Sequence, residues 1–564
     1  MDRQLLVPSL LEYAARCHGA TDVVSVDSAG VSRRGTWADV AARAGQVAAA
    51  LLAEGVRPGD RVATIAWNDH RHLEAYYGIT AVGAVLHTVN PRLGDDRIGF
   101  IVDDAADVVV LADPGFADLV GRLAPARPAV RRWVMLGEDG CEMPAAGRDG
   151  SLPGCVAYEP WIAPHAQPEA ASAGAAAGPA GLAEFWPDPD EHAAATLCYT
   201  SGTTGNPKGV LSSHRAIVLS AWATCTGDGH DVSSGESVLV AVPMFHVNGW
   251  ALPFAAALAG AKLVLPGPDV GPPALAGLIE AEHVTFSAGV PTLWLDLVGY
   301  LAETGRKVPS LRRLAVGGSA APSALTDTLE DDYGVAVSHI WGMTEMTQGS
   351  TGRFTHRVER LGRDEQRRRQ AMAGRELYGV ELRVCDDDGR VLARDGVSVG
   401  EIQARGPWTA GAYYAGALSA PASDTHLPAA DGGWLRTGDI GTIDAEGYVT
   451  LVDRAKDVIK SGGEWISSID LENAAVAADG VAEAAAVGLA HERWGERPLL
   501  LVRLAPDAVL DRAAILDVLR PQMPRWCLPD DIVAVEQIPR TANGKIDKLR
   551  LRAEYAGHVW PERG

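Results

Sequence analysis

Between residues 36 and 318 the chain alternates short apolar runs with amphipathic stretches, and this rhythm restricts its fold more than any other feature. Residues 36–56 read as an amphipathic helix ending near Gly55, because apolar side chains return at helical spacing and a glycine closes the run. A strand is predicted at 61–67, a helix at 72–82 and a strand at 85–89, and residues 101–112 repeat the theme. From Ala193 an apolar strand leads through a glycine-rich loop to a helix starting near His214. Residues 235–249, 261–265, 283–288 and 312–318 read as further strands between helices. Strands separated by helices need crossover connections, so an α/β fold with parallel sheets flanked by helices is predicted. Residues 380–450 change texture to short strands with turn signals, a small β-rich subdomain. Beyond Asp453 and Arg454 a compact α/β pattern follows, with strands at 482–488, 499–503 and 532–536 and a helix at 513–519. The division drawn from the sequence is therefore 1–453 and 454–564. Residues 160–190, rich in Ala, Gly and Pro, read as a mobile surface insertion.

A chain of 564 residues is too long for one compact core. Its net charge of −22, with a pI of about 5.1, repels phosphate backbones and anionic membranes, so nucleic acid is excluded as a partner and any cationic site must be local. Seven cysteines are scattered without a C-x-x-C pair, which argues against a disulfide framework or a zinc site and fits a reducing cytosol. Arg3, Glu12 and Arg16 interrupt the first twenty residues, which lack a signal-peptide core. The longest apolar stretch, residues 250–265, is broken by Gly260 and Lys262 and is shorter than the ~20 residues that span a bilayer. A cytoplasmic enzyme without membrane insertion is expected.

Lysine occurs only seven times against 43 arginines. Five of the seven, Lys208, Lys456, Lys460, Lys545 and Lys548, fall in three glycine-containing segments. A compact ammonium beside flexible backbone suits contact with phosphate. The strongest of these segments is Tyr199-Thr200-Ser201-Gly202-Thr203-Thr204-Gly205-Asn206-Pro207-Lys208-Gly209-Val210. Placed between a strand and a helix, its backbone N–H groups and hydroxyls can cradle an anion while the lysine adds charge. It is not a Walker A loop, because no glycine has the G-x-x-x-x-G-K-[ST] spacing.

This string resembles the phosphate-binding signature of the adenylate-forming superfamily of acyl-CoA synthetases, luciferases and peptide-synthetase adenylation domains. The similarity runs over roughly residues 10–555, because further motifs follow in family order. The resemblance implies a large N-terminal domain of two flavodoxin-like α/β subdomains plus a β-rich subdomain, followed by a small mobile α+β C-terminal domain. It implies ATP/AMP binding by Thr200, Ser201, Gly202, Thr203, Thr204, Gly205 and Lys208. Gly317, Gly318 and Ser319 resemble the loop lying against adenine, where glycines let a flat base approach the backbone. His339, Ile340, Trp341, Gly342, Met343, Thr344 and Glu345 cover the aromatic-G-x-T-E motif: the ring on adenine, the threonine at phosphate, and Glu345, with Thr200, at Mg²⁺. Asp439 matches the aspartate that grips the ribose hydroxyls. Arg454 matches a ribose contact, and Asp453 the hinge that absorbs a domain rotation. Lys456, Lys460 and Trp465 are implied as AMP contacts, and Ser461, Gly462 and Gly463 as the turn facing coenzyme A. Lys545, in Pro539-Arg540-Thr541-Ala542-Asn543-Gly544-Lys545, matches the mobile catalytic lysine. It would meet charge building on the phosphoryl oxygens as a carboxylate attacks the α-phosphorus.

Within the superfamily, Pro243-Met244-Phe245-His246-Val247-Asn248-Gly249-Trp250, residues 87–93 and the Gly462-Gly463-Glu464-Trp465 turn most resemble medium- and long-chain fatty acyl-CoA synthetases, some of them homodimers. His246 then stands at the substrate carboxylate and counts with Lys545 as catalytic, while Val247, Asn248, Trp250, Thr347 and Gln348 belong to the substrate pocket. Thr347 and Gln348 depart from the apolar residues usual in fatty-acid relatives, and polar groups pair poorly with an alkyl chain. Two acceptors stay open on this reading. One is coenzyme A, with ATP and Mg²⁺ as the other requirements. The other is a non-CoA acceptor, as in actinobacterial diazotase-like relatives of secondary metabolism that activate nitrite for an aromatic amine.

Overall fold

The computed structural model describes residues 3–144, 152, 154–166, 182–186, 188–200, 206–319, 321–418, 429–430, 432–462, 464–541 and 545–561. Most of the Ala/Gly/Pro-rich stretch expected to be a mobile insertion therefore lies outside the described residues. The chain divides into two compact units, Met1–Glu381 with Arg405–Leu427, and Leu382–Ala404 with Pro428–Gly564.

The first unit contains two seven-stranded sheets. In one, Cys155–Ala157, Arg132–Met135, Val109–Ala112, Arg61–Ile65, Val85–Thr88 and Ala194–Tyr199 run parallel in that spatial order. Gly209–Ser213 closes its edge antiparallel to Ala194–Tyr199. In the other, Ala336–His339, Arg313–Val316, Phe286–Gly289, Ser237–Leu239, Lys262–Leu265 and Asp22–Val26 are parallel, with Ser32–Thr36 antiparallel at the edge. The alternation in the sequence thus appears as two sheets of the predicted kind.

The helices obey ordinary end rules. Trp37–Ala53 begins in a capping box, in which Thr36 accepts from the Asp39 amide and Asp39 accepts from the Thr36 amide. His70–Ala81 is capped by Asp69, which accepts from the His72 amide. One continuous core joins Val47 and Leu51 of the first helix, Leu73, Tyr76 and Tyr77 of the second, and strand residues from both sheets, among them Val62, Leu86, Val238 and Leu263. The two sheets therefore share packed helices rather than forming separate cores. Burying all twelve residues of His70–Ala81 requires its polar groups to be matched. Arg43 pairs with Glu74 at 2.7 Å and Glu159 at 2.8 Å, and Tyr158 donates to Glu74 at 2.7 Å.

In the second unit Gly400–Arg405, Trp434–Ile443 and Val449–Arg454 form an antiparallel meander. A second sheet joins Glu464–Ile466, Ile459–Ser461, Gly495–Leu504, Val481–His491 and Asp531–Ala534. Its faces are covered by Ser468–Val476, Arg512–Leu519 and Lys548–Glu554, whose Leu471, Leu519 and Leu551 enter the apolar clusters. Among the described residues no helix is long and apolar enough to cross a membrane.

Candidate functional site

The parallel strands of the first unit deliver the motif residues at their C-terminal ends, the edge where open α/β sheets bind ligands. Strand Arg313–Val316 runs into Gly317, Gly318 and Ser319, and its neighbour Ala336–His339 runs into Ile340, Trp341 and the following motif. Gly317 has no room for a side chain, since a Cβ there would stand 2.8 Å from Ile340 Cγ1. Gly318 has φ +81° and a Cβ position 3.7 Å from the Trp250 ring. Gly342 packs against the Thr347 carbonyl, where a Cβ would be 2.1 Å from the oxygen. His339 is buried, and burial lowers its pKa despite backbone partners at Ser319, Ala371 and Met372. Met343 and Thr344 are half-buried.

The glycine-rich string follows strand Ala194–Tyr199 and is followed by Gly209–Ser213. Ser201, Gly202, Thr203, Thr204 and Gly205 lie outside the described residues, but the neck is defined. Tyr199 pairs with Gly209, and the Thr200 amide donates to the Lys208 carbonyl at 2.9 Å. Lys208 is exposed and its Nζ stands 5.0 Å from the centre of the Tyr413 ring. Tyr413 in turn donates its hydroxyl to Glu345 Oε1 at 2.8 Å. Glu345 is only 7% exposed, and burial, followed by this carboxylate, raises the Tyr413 phenol above its ordinary range. Lys208 and Glu345 are thus brought to one tyrosine, which the sequence reading missed. The one signal for it was an aromatic pair, Tyr413-Tyr414, in a glycine-containing loop.

The segment after strand Ser237–Leu239, read from the sequence as continuous strand to residue 249, is something else. Val247, Asn248, Gly249, Trp250 and Ala251 all have φ between +38° and +61°, five successive residues in the left-handed region. Such a conformation costs roughly 1–2 kcal/mol per non-glycine residue and persists only where surroundings impose it. Here Asn248, 5% exposed, donates to Thr88 Oγ1 at 3.4 Å, and Thr88 Oγ1 lies 3.1 Å from Cys198 Sγ. The amides of Val247 and Asn248 also point at Cys198, whose thiol pKa is raised by burial and only partly restored by these donors. The turn is flanked by His246 and carries Trp250, both half-buried. Gln348 donates its amide Nε2 to the Ser350 carbonyl at 3.4 Å and accepts on Oε1 from the Thr224 hydroxyl at 3.5 Å, and Thr347 takes φ +58° beside it.

In the second unit Asp439 and Arg454 face each other on paired strands and form an ion pair at 2.7 Å. Lys545 is exposed overall, yet crowding by protein, then the Arg454 guanidinium and the Lys456 ammonium, push its pKa down to about 8 while Asp439 opposes them. Lys456 is lowered too, by burial first and then by Arg454 and Arg552. Asp453 is buried and accepts from the Ser468 amide at 2.8 Å and from the Ser468 hydroxyl, and burial raises its pKa. Ser461 accepts from Arg497 at 2.9 Å, and Gly462, at φ +61°, donates to the Trp494 carbonyl at 2.8 Å. Lys460 Nζ stands 5.4 Å from the Trp465 ring centre. Gly463 lies outside the described residues. Among those residues no group of three or more His, Cys, Asp or Glu could hold a metal ion.

The profile of AMP-binding enzymes matches residues 11–414, and that of the AMP-binding enzyme C-terminal domain matches residues 470–545. The chain belongs to the AMP-binding enzyme family. It is 42% identical over 557 residues to the medium-chain-fatty-acid–CoA ligase of Ectopseudomonas oleovorans, covering 98% of this chain and 97% of that one. It is 40% identical over 560 residues to the 3-methylmercaptopropionyl-CoA ligase of Ruegeria lacuscaerulensis, covering 98% of both. Its fold matches the structure of the anthranilate CoA ligase AuaEII in complex with anthranoyl-AMP, with a TM-score of 0.81, 24% identity and 99% coverage of each chain.

The left-handed turn gives a direct expectation. Replacing Asn248 with Ala removes its buried hydrogen bonds and the residue type that tolerates positive φ. A loss of about 1–3 kcal/mol in urea unfolding is expected, and an unchanged urea midpoint would contradict the role given to this side chain.

Proposed function

We propose that this chain is an ATP-dependent ligase that joins an apolar carboxylic acid to coenzyme A through an acyl-AMP. The observation that carries the reading is the grouping of Lys545 with Arg454 and Asp439, a cation beside a ribose-type carboxylate, in a chain so similar to acid–CoA ligases.

In the first step an oxygen of the substrate carboxylate attacks the α-phosphorus and the bond to pyrophosphate breaks. Negative charge gathers on the phosphoryl oxygens and the leaving group, and the Lys545 ammonium is the mobile counter-charge. We assign Lys208 and the loop of Thr200, Ser201, Gly202, Thr203, Thr204 and Gly205 to the outer phosphates, and Asp439 and Arg454 to ribose. Adenine goes between the bare backbone at Gly317 and Gly318 and the 339–344 motif. Glu345 and Thr200 offer hard oxygen donors, and one buried carboxylate with substrate phosphates is an ordinary environment for Mg²⁺. Bound there, Mg²⁺ would neutralise phosphate charge. His246 orients the acid. In the second step the thiol of coenzyme A attacks the acyl carbonyl and AMP leaves. We place Ser461, Gly462 and Gly463 on the thiol side of that step, Lys456, Lys460 and Trp465 on AMP, and the pivot of the 454–564 segment at Asp453.

An apolar acid is favoured because Gln348 directs its amide to Thr224 and Ser350. That satisfies one of the two polar side chains, Thr347 and Gln348, which the sequence set against an alkyl chain. The relatives named for medium-chain fatty acids and 3-methylmercaptopropionate point the same way.

The test is pyrophosphate release and thioester formation with straight-chain acids, 3-methylmercaptopropionate, aromatic acids and nitrite, each with and without coenzyme A or an aromatic amine. CoA thioesters of apolar acids are expected; nitrite- and amine-dependent turnover without any thioester would replace this reading with the non-CoA one. The low Lys545 pKa adds a pH signature. The ammonium is the active form, so kcat/KM for ATP, which reports ionisations of the free enzyme, should hold below about pH 8 and fall above it. Lys545→Arg stays charged at any working pH and should lose that limb, while Lys545→Ala should slow pyrophosphate release by about 10²–10³.

A further inference from the structure

The residues from Trp408 to Tyr414 belong to none of the motifs that the sequence singled out, yet they stitch two of those motifs together. At one end the Trp408 indole donates to the Gln348 carbonyl at 2.8 Å, and the Ala410 amide donates to the Glu345 carbonyl at 2.7 Å. At the other end the Tyr414 amide donates to the Gly209 carbonyl at 2.8 Å, and Tyr413 bridges Val210 as an antiparallel partner. The backbone of this strap is thus fixed on both sides of Tyr413. Its ring lies beneath the Lys208 ammonium and its hydroxyl reaches the Glu345 carboxylate.

We propose that Tyr413 is a positioning residue for ATP and its metal, holding the Glu345 carboxylate through its hydroxyl and the Lys208 ammonium through its ring. The inference rests on the assignment of Lys208 and Glu345 made above. Glu345 has two oxygens, and the Tyr413 hydroxyl donates to Oε1; that bond restrains the carboxylate, and Oε2 would be the oxygen offered to a cation. Lys208 is a long, exposed side chain whose rotamers the ring face narrows. The two contacts separate chemically: Tyr413→Phe removes the hydroxyl and keeps the ring, whereas Tyr413→Ala removes both.

The experiment is calorimetric ATP binding to the full chain across a Mg²⁺ titration and in EDTA, for the parent, Tyr413→Phe, Tyr413→Ala, Glu345→Gln and the Tyr413→Phe/Glu345→Gln double variant. Tyr413→Phe is expected to raise the half-saturating Mg²⁺ concentration about tenfold, the scale of losing a supporting contact to a metal ligand. ATP affinity in EDTA should stay within about twofold, which also certifies the fold. Tyr413→Ala should in addition weaken ATP in EDTA about threefold to fivefold, the scale of a lost cation–π contact. In the Glu345→Gln background Tyr413→Phe should add nothing further. An unchanged Mg²⁺ requirement in Tyr413→Phe, or an equal shift with and without Glu345, overturns the proposal. If Glu345→Gln itself leaves the Mg²⁺ requirement untouched, the assignment of Glu345 fails and the inference falls with it.

Discussion

A carboxylate withdrawn from water is the constraint around which the chemistry of the first unit is arranged. Glu345 is almost buried, and such a group is tolerated only when its oxygens find donors or counter-charge. Tyr413 supplies a donor and the Ala410 amide holds the same residue by its carbonyl. These bonds tie the strap of residues 408–414 to Glu345, and those of Tyr414 to Gly209 and Tyr413 to Val210 tie it to the strand that leaves the glycine-rich string, so the strap links the acidic and cationic parts of the candidate site within that unit. Glycines at 317 and 342 complete the arrangement by letting backbone approach backbone or side chain where a Cβ would collide.

The second unit solves a related problem with opposite sign. Arg454, Lys456 and Lys545 gather in a chain of net charge −22, and burial first, then repulsion from the neighbouring cations, lowers the pKa of both lysines. Asp439 offsets part of that repulsion through its ion pair with Arg454. Close by in sequence, Asp453 is anchored rather than loose. Ser468 binds it from amide and hydroxyl, and Lys548, paired with Glu472 at 2.8 Å, adds a favourable charge. Held this way, Asp453 has a defined arrangement within its unit, and moving it would exchange those bonds for others.

Much of this was legible in the residues themselves. Apolar periodicity and Gly55 placed the helix Trp37–Ala53 within three residues of its ends, and the Thr36–Asp39 cap that starts it in the structure is built from neighbours in sequence. The scarcity of lysine singled out Lys208, Lys456, Lys460, Lys545 and Lys548, while Lys262 and Lys307 serve an ion pair with Glu282 and a contact with the Tyr333 ring. Lys548 shows the limit of that signal. It stands in a glycine-marked segment yet is taken up by Glu472 and Ser468. Residues 247–249 were misread as strand because apolar composition cannot report the sign of φ, which goes with tertiary contacts to Thr88 and Cys198. Tyr413 was invisible for a similar reason. Its partners are 68 residues away at Glu345 and still farther at Lys208, so only the folded chain unites them.

Family membership and the overall path of the chain leave one chemical question that decides the account: which bond of ATP is broken, and by which atom. A carboxylic acid labelled with ¹⁸O in both carboxyl oxygens, incubated with ATP and coenzyme A, answers it by mass spectrometry of the products. Attack of the carboxylate on the α-phosphorus predicts one labelled oxygen in AMP, one retained in the thioester and none in pyrophosphate. Label in inorganic phosphate with formation of ADP, or unlabelled AMP beside the thioester, would contradict an acyl-AMP intermediate and the roles assigned to Lys545, Arg454 and Asp439.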